Sequence, residues 1–155
     1  FHRKVVNFLG DNMLSLTCKT AIKAVIYLAA KSSPEHKIGI KDIALHINAS
    51  EHTIGKTLQV LTKQKLIISL KGPSGGFYLK KTKKNLAIYK IIEAIEGKGV
   101  FKECGLGLSK CSETHPCPIH NEYKVARELM DKLFREKKVI DLCDPVTHGL
   151  AFLMD

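Results

Sequence analysis

Apolar residues recur every three to four positions in the first part of the chain, and this spacing predicts three helices. They cover residues 14–31, 40–47 and 51–64. A three-residue turn separates the second helix from the third, and Ser50 at its end is a favourable N-cap. Two short helices joined in this way are typical of a helix-turn-helix, although a helical hairpin within a core has the same pattern.

A β-rich hairpin is predicted directly after the third helix. Residues 66–71 and 77–80 form its two arms, and glycines dominate the tip between them. Because glycine has no side chain, such a tip can approach a sugar–phosphate surface closely. A nucleotide-binding phosphate loop is excluded, since the glycines lead into a strand rather than a helix. A lysine-flanked hairpin in this place is typical of a winged helix.

Two further helices are predicted over residues 86–96 and 119–138, with Pro118 at the first position of the longer one. The segment between them, residues 98–118, is poor in apolar residues, and loops of this length are usually functional or disordered. The longer helix carries an apolar seam that we expect to pair with a second copy of the chain; packing onto its own domain is the alternative. The seam residues are Ile119, Tyr123, Ala126, Met130 and Leu133.

Charge is distributed unevenly along the 155 residues, which carry a net charge of +10. Residues 1–84 contain 15 Lys and Arg against 4 Asp and Glu, a net of +11, whereas residues 85–155 contain 10 against 11, a net of −1. This asymmetry suits a phosphate-binding module joined to a neutral module for assembly or sensing; a solvated lysine-rich surface is the simpler alternative. The candidate DNA contacts are Ser50, His52, Thr53, Lys56, Thr57, Lys71, Gly72, Pro73, Ser74, Gly75 and Gly76.

Several classes of protein are not expected from the sequence. No apolar run approaches the ~18 residues of a transmembrane helix, and the first residues lack the features of a signal peptide, so we expect a cytoplasmic protein. Five cysteines in such a chain argue against structural disulfides. There is no nucleotide fingerprint, Ser-His-Asp signature or carboxylate pair in a loop, so neither an enzyme nor a small-molecule substrate is expected.

Three of the cysteines lie within fourteen residues of one another, in the predicted loop. Cys104, Cys111 and Cys117 are followed by His120, and together they offer four soft or borderline metal ligands. The paired Cys-x-x-Cys knuckles of structural zinc sites are absent, and the wider spacing suits an iron–sulfur cluster. A zinc site, a thiol redox switch and cysteines that only pack remain open as alternatives.

Three segments together resemble the Rrf2 family of bacterial transcription regulators, of the iron–sulfur cluster regulator and nitrite-sensitive repressor type. They are Leu-Ser-Leu-Thr-Cys-Lys-Thr-Ala-Ile-Lys-Ala from Leu14, Lys-Gly-Pro-Ser-Gly-Gly-Phe at residues 71–77, and Cys-Pro-Ile-His at residues 117–120. The resemblance extends from about Met13 to Asp144. Phe77 stands where the family commonly has Tyr, and the cysteine spacing is slightly longer than the tightest family pattern.

The resemblance implies a mainly α fold: a winged helix-turn-helix domain with a small β-hairpin wing, a long dimerisation helix and a 2Fe–2S cluster. Cys104, Cys111 and Cys117 match the cysteine ligands of the family, and His120 matches the histidine that some members use as the fourth ligand. Other members take that ligand from the partner subunit, and some carry no cluster.

These observations predict five segments and one function. Residues 1–12 are an N-terminal extension or a cloning remnant, residues 13–97 the DNA-binding domain, and residues 98–118 the sensor loop. Residues 119–144 are the dimerisation helix, and residues 145–155 a C-terminal tail. We expect a homodimer that binds a double-stranded DNA operator and senses redox state, nitric oxide or iron–sulfur status. A regulator with a thiol or zinc switch, and an iron–sulfur electron carrier, are the alternatives.

Overall fold

Six α-helices and one β-hairpin make up the computed structural model, which describes residues 13–155. The predicted extension at residues 1–12 lies outside this range. The helices are α1 (Leu16–Lys31), α2 (Ile40–His46), α3 (Glu51–Lys63), α4 (Ile88–Glu96), α5 (His120–Glu136) and α6 (Val139–Thr147), and the strands are β1 (Ile68–Leu70) and β2 (Gly76–Tyr78). A short 3-10 helix covers Lys81–Asn85. Within residues 13–155, no helix is both long and apolar enough to cross a membrane.

Serine caps fix the starts of α1 and α3. The Ser15 hydroxyl accepts a hydrogen bond of 3.1 Å from the backbone N–H of Cys18, and the Ser50 hydroxyl accepts one of 3.1 Å from Thr53 N–H. Each bond satisfies a backbone donor that the first turn of a helix leaves free. The chain turns sharply before α3 because Asn48 adopts a left-handed conformation with φ of 50°. The predicted turn between the second and third helices is therefore confirmed.

The core lies around α1, which packs against α3, α4 and α6. Leu28 of α1, Leu58 of α3, Ile91 of α4 and Val139 of α6 are all fully buried in one continuous apolar cluster. Removing such side chains from water is the main stabilising contribution to a domain of this size. The winged helix is therefore held together by apolar packing of elements that come from both ends of the described chain.

The wing is an antiparallel hairpin in which Ile68 lies opposite Tyr78 and Leu70 lies opposite Gly76. A third chain segment joins it, because Ile38 and Phe77 exchange two backbone hydrogen bonds of 2.9 Å. The sequence did not predict this bridge, because a single bridging residue, Ile38, gives no periodic pattern of apolar positions. It ties the base of the wing to the helix-turn-helix.

The end of the chain differs from the prediction. Helix α5 begins at His120 with Ile119 as its N-cap, so the prediction that Pro118 occupies the first helical position is wrong. The predicted helical segment 119–144 comprises two helices, because the helical structure stops at Glu136 and resumes in α6. Backbone bonds from Ile88 N–H to Lys137 and from Val139 N–H to Leu86 hold the connection beside the start of α4.

Candidate metal centre and nucleic-acid interface

The three cysteines of the loop converge. The Sγ atoms of Cys104, Cys111 and Cys117 all lie within 4.8 Å of one another, and those of Cys104 and Cys117 are 3.6 Å apart. Residues 98–118 contain neither an α-helix nor a strand of more than one residue, so the regular elements on either side must bring the thiols together. Three convergent thiols form a donor set that suits a soft or borderline metal.

His120 completes the cluster of potential ligands. It is the first residue of α5, it is 8% exposed, and its Nδ1 lies 3.1 Å from Cys111 Sγ. Its other ring nitrogen, Nε2, is buried and has no hydrogen-bond partner within residues 13–155. The Nδ1 atom of His120 is therefore placed beside the thiols, where a fourth metal ligand would lie.

The thiols differ in their readiness to ionise. Backbone N–H groups of Leu108 and Leu106 donate toward Cys104 Sγ and lower the pKa of this thiol to about 7. Burial instead raises the pKa of Cys117. Since the thiolate is the form that binds metal, the loop itself favours the ligating state of Cys104.

Charged side chains lie along one side of the thiol cluster. Glu113 and Lys124 form an ion pair that joins the loop to α5 and lowers the pKa of the Glu113 carboxyl. Lys102 and Arg127 line the same cavity, which also contains Cys104, Cys111, Ser112 and His120. Polar contacts thus attach the thiol-bearing part of the loop to α5, whereas Phe101, near the start of the loop, is buried in the apolar core and stacks on Phe134 of α5.

A separate polar surface lies on α3. His52 and Lys56 are exposed, as predicted, and Ser50 and half-buried Thr53 lie at its N-terminal end. Gln59 and Lys63 are also exposed, one and two turns further along the same stripe, and neither is among the predicted DNA contacts. Helical spacing from His52 could have found both.

Thr57 does not belong to this surface. It is only 1% exposed, and its hydroxyl donates a hydrogen bond of 2.7 Å to the carbonyl of Thr53. Its assignment as a DNA contact is therefore wrong. A threonine can occupy the buried face of a helix because the preceding turn satisfies its hydroxyl.

The tip of the wing is exposed at Lys71, Gly72, Pro73 and Ser74, whereas Gly75 and Gly76 are half-buried. A Cβ atom on Gly75 would lie 2.3 Å from the carbonyl oxygen of Leu70, so the turn has no room for a larger residue. Gly72 and Gly76 adopt positive φ angles of 104° and 142°. Gly72, Gly75 and Gly76 therefore shape the turn. The exposed residues 71–74 are available for contacts.

The chain matches the Rrf2 family, described as iron-dependent transcriptional regulators, over residues 14–145. The chain belongs to the Rrf2 family. This match covers the helix-turn-helix, the wing, the cysteine loop and α5. The protein is accordingly a DNA-binding transcription regulator and not an enzyme.

Relatives of this Rrf2 protein carry related names. A "Putative HTH-type transcriptional regulator" of Aquifex aeolicus is 28% identical over 132 residues, which are 84% of this chain and 90% of the relative. The "HTH-type transcriptional regulator NsrR" of Oceanobacillus iheyensis is 28% identical over 134 residues, covering 86% and 90% of the two chains.

Solved structures share the fold. CymR, the global cysteine regulator of B. subtilis, superposes with a TM-score of 0.67 at 21% identity, covering 84% of this chain and 95% of its own. IscR of T. potens superposes with a TM-score of 0.66 at 18% identity, covering 89% and 90%. These likenesses confirm the predicted fold class, a mainly α winged helix with a small β wing.

Helix α5 of this Rrf2 protein has two apolar faces. Met130 and Phe134 pack against the apolar core of the chain, and Tyr123 is half-buried beside the loop. On the other face, Val125 and Leu129 are 59% and 64% exposed. Of the predicted seam, Ile119, Ala126 and Leu133 are exposed as well. Within residues 13–155, Tyr123 and Met130 are thus turned toward the core of the chain, and the exposed apolar face includes two residues, Val125 and Leu129, outside the predicted seam.

Proposed function

We propose that this Rrf2 protein is a homodimeric regulator whose sensor loop binds a 2Fe–2S cluster and whose affinity for its operator depends on that cluster. The signal would be redox state, nitric oxide or the iron–sulfur status of the cell. The convergence of three thiols within 4.8 Å of one another, beside a buried imidazole, is the observation that carries the proposal.

The residues of the loop and the start of α5 fit a 2Fe–2S cluster. Cys104, Cys111 and Cys117 would supply three thiolates and His120 the fourth ligand, a set known for iron–sulfur clusters in which imidazole replaces cysteine. The unsatisfied Nε2 of His120 supports a role beyond packing. The cluster, when bound, supplies a redox-active and nitric-oxide-sensitive centre, while the loop holds its ligands and limits access to it.

The wing and α3 would read the DNA. We assign base or phosphate contacts to His52, Thr53 and Lys56, with Ser50 at the start of the helix, and add Gln59 and Lys63 from the exposed stripe. The wing tip, from Lys71 to Gly76, would lie along the backbone or in the adjacent minor groove. Two copies would read a roughly palindromic site.

The exposed face of α5 would form the dimer interface. Val125, Leu129 and Leu133 present a row of large apolar side chains to solvent. Apolar residues on one face of a long helix commonly pair with a second helix. A second copy of this chain is the partner we propose, and Ile119 and Ala126 would extend the contact.

A metal-independent thiol switch or a zinc site is the second candidate. The 3.6 Å between Cys104 and Cys117 Sγ atoms favours a disulfide in metal-free protein, and three thiols with one imidazole also suit tetrahedral zinc. Neither alternative absorbs visible light, whereas an iron–sulfur cluster does.

Anaerobic purification with added iron tests the cluster directly. We expect a coloured protein with two irons and two sulfides per chain, as a 2Fe–2S cluster requires. Cys104→Ala, Cys111→Ala and Cys117→Ala should each abolish the colour, and His120→Ala should leave a labile or spectrally altered cluster. Cys143→Ala, in the apolar core, is the matched control and should keep it. Colourless wild-type protein without iron or sulfide would contradict the proposal.

A further inference from the structure

The three cysteines are not positioned by the same means. Cys117 lies three residues before the first residue of α5, and its N–H donates to Cys111 Sγ at 3.4 Å, so these two candidate ligands are tied to the helix start. Cys104 enters from the far end of the loop, thirteen residues before Cys117. Buried Phe101, stacked on Phe134 of α5, anchors the chain three residues before Cys104. Ordering the residues next to Cys104 has a further entropic cost, which contacts on either side of the thiol must offset.

Arg127 holds the segment that precedes Cys104. It lies on α5, two turns after His120, and its Nη1 donates hydrogen bonds of 3.0 Å to the carbonyl of Lys102 and 2.9 Å to that of Glu103. One guanidinium nitrogen thus holds the two successive peptide groups directly before Cys104 against α5. A charged donor bonded to backbone carbonyls makes stronger hydrogen bonds than a neutral one.

Tyr123 holds the segment that follows Cys104. A Cβ atom placed on Gly105 would lie 2.8 Å from two atoms of the Tyr123 ring, so the backbone of Gly105 lies directly on that ring. Tyr123 and Arg127 are one turn apart on α5. Cys104 is therefore held on both sides by one face of the same helix.

We propose that Arg127 and Tyr123 are positioning residues for Cys104, which fix its thiol beside Cys111 and Cys117. The inference rests on the proposed function, in which Cys104 is a ligand, and adds the two residues that place it. It also makes α5 a support for the sensor loop. A change in the loop would therefore act directly on the helix that is proposed to join the subunits.

The first test measures how fast an iron chelator removes iron from the loaded protein. Outer-shell residues commonly contribute a factor of about 10 to 100 in metal affinity, so we expect Arg127→Ala to lose iron about 10-fold faster than wild type. Arg127→Lys keeps the charge but loses the planar fork, and should be intermediate. Lys132→Ala, exposed on the same helix, is the matched control and should behave as wild type.

The second test uses metal-free protein and does not depend on the cluster. Oxidised glutathione is the oxidant: the Cys104 thiolate attacks it and releases one glutathione, and Cys117 then displaces the second to form the Cys104–Cys117 disulfide. Arg127→Ala and Gly105→Ala should both slow the formation of this disulfide several-fold. Mass spectrometry of samples taken over time measures the rate. The alkylation rate of Cys111 should be unchanged in both variants, which a general loss of structure would not allow.

The two tests distinguish failure of the proposed function from failure of the positioning role. Wild-type protein that takes up no iron would contradict the proposed function, while the disulfide rates would still test the positioning of Cys104. Rates of iron loss and of disulfide formation in Arg127→Ala and Gly105→Ala that equal those of Lys132→Ala would overturn the positioning role. Equal acceleration of alkylation at all three cysteines would overturn it as well, because Arg127 would then be a general structural residue.

Discussion

Cys18 and Cys104 show how differently two regions of this molecule treat the same side chain. Cys18 lies on α1 in the apolar core, is fully buried, and has a pKa raised to about 12 by burial and by the nearby negative charge of Glu96. Cys104 lies in the loop, where backbone N–H groups lower its pKa to about 7. The winged helix keeps Cys18 protonated and unreactive, and the loop favours the reactive thiolate of Cys104.

The contrast extends to what holds each region. Helices α1, α3, α4 and α6 share one apolar core, which the loop enters only at its start, through Phe101. The part of the loop that carries the thiols is fixed by the Glu113–Lys124 ion pair, the bonds from Arg127 and contacts among the thiols. Folding stability thus comes mainly from the winged helix, and the loop supplies the proposed metal ligands. A ligand in the loop can therefore change without unfolding the domain that reads DNA.

The largest expected difference is in thiol reactivity. In metal-free protein, the alkylation rate of Cys104 should rise as pH increases through about 7, because the thiolate is populated above the pKa. Cys18 should stay unmodified at the same pH values, since its pKa of about 12 keeps it protonated. Site-resolved mass spectrometry after iodoacetamide treatment checks this. Comparable labelling of the two residues at pH 7 would remove the contrast.

Assembly should depend on the α5 face that the winged helix leaves exposed. Leu129→Glu would place a charge in the proposed dimer contact, where an unpaired buried charge is disfavoured by several kcal/mol. We expect monomers by light scattering and weak binding to DNA. Glu128→Gln, exposed about 100° around the helix from Leu129, is the control and should remain dimeric. A fully dimeric Leu129→Glu protein would place the interface elsewhere.

Folding stability should respond to the core and not to the loop. Leu58→Ala removes a fully buried side chain, and such truncations lower the free energy of unfolding by about 2–5 kcal/mol. Cys111→Ala in metal-free protein should change it by less than about 1 kcal/mol, because Cys111 is only half-buried and lies outside the apolar core. Urea unfolding of both variants measures the difference. Equal losses would mean that loop and core fold as one unit.

The smallest expected effect concerns the basic region. Lys71→Ala should weaken binding to all DNA sequences about equally and reduce the slope of log K against log salt by about 0.9, one phosphate contact. Lys98→Ala, in the neutral half of the chain, should leave the slope unchanged. An altered base preference with an unchanged slope would contradict the assignment of Lys71 to the backbone.

The sequence predicted the helices and the wing well because their apolar spacing is regular, as in α3 and around the glycine tip. It missed α6, where Pro145 inside the helix obscures the pattern. It also assigned Thr57 and Met130 to exposed faces, because a polar residue can be buried with its hydroxyl satisfied and a broad apolar stripe can serve two neighbours. The attachment of Cys104 to α5 depends on backbone carbonyls, which no side-chain pattern reveals.

The central claim is that the state of the loop controls binding by the winged helix. Its most direct test is a pair of anisotropy titrations at one salt concentration, with iron-loaded and metal-free wild-type protein on a duplex selected by the loaded protein from a random pool. Allosteric coupling of ordinary strength predicts affinities that differ by a factor of about 5 to 150, and Cys111→Ala should bind as the metal-free form does. Equal affinities of the loaded and metal-free proteins would contradict the account.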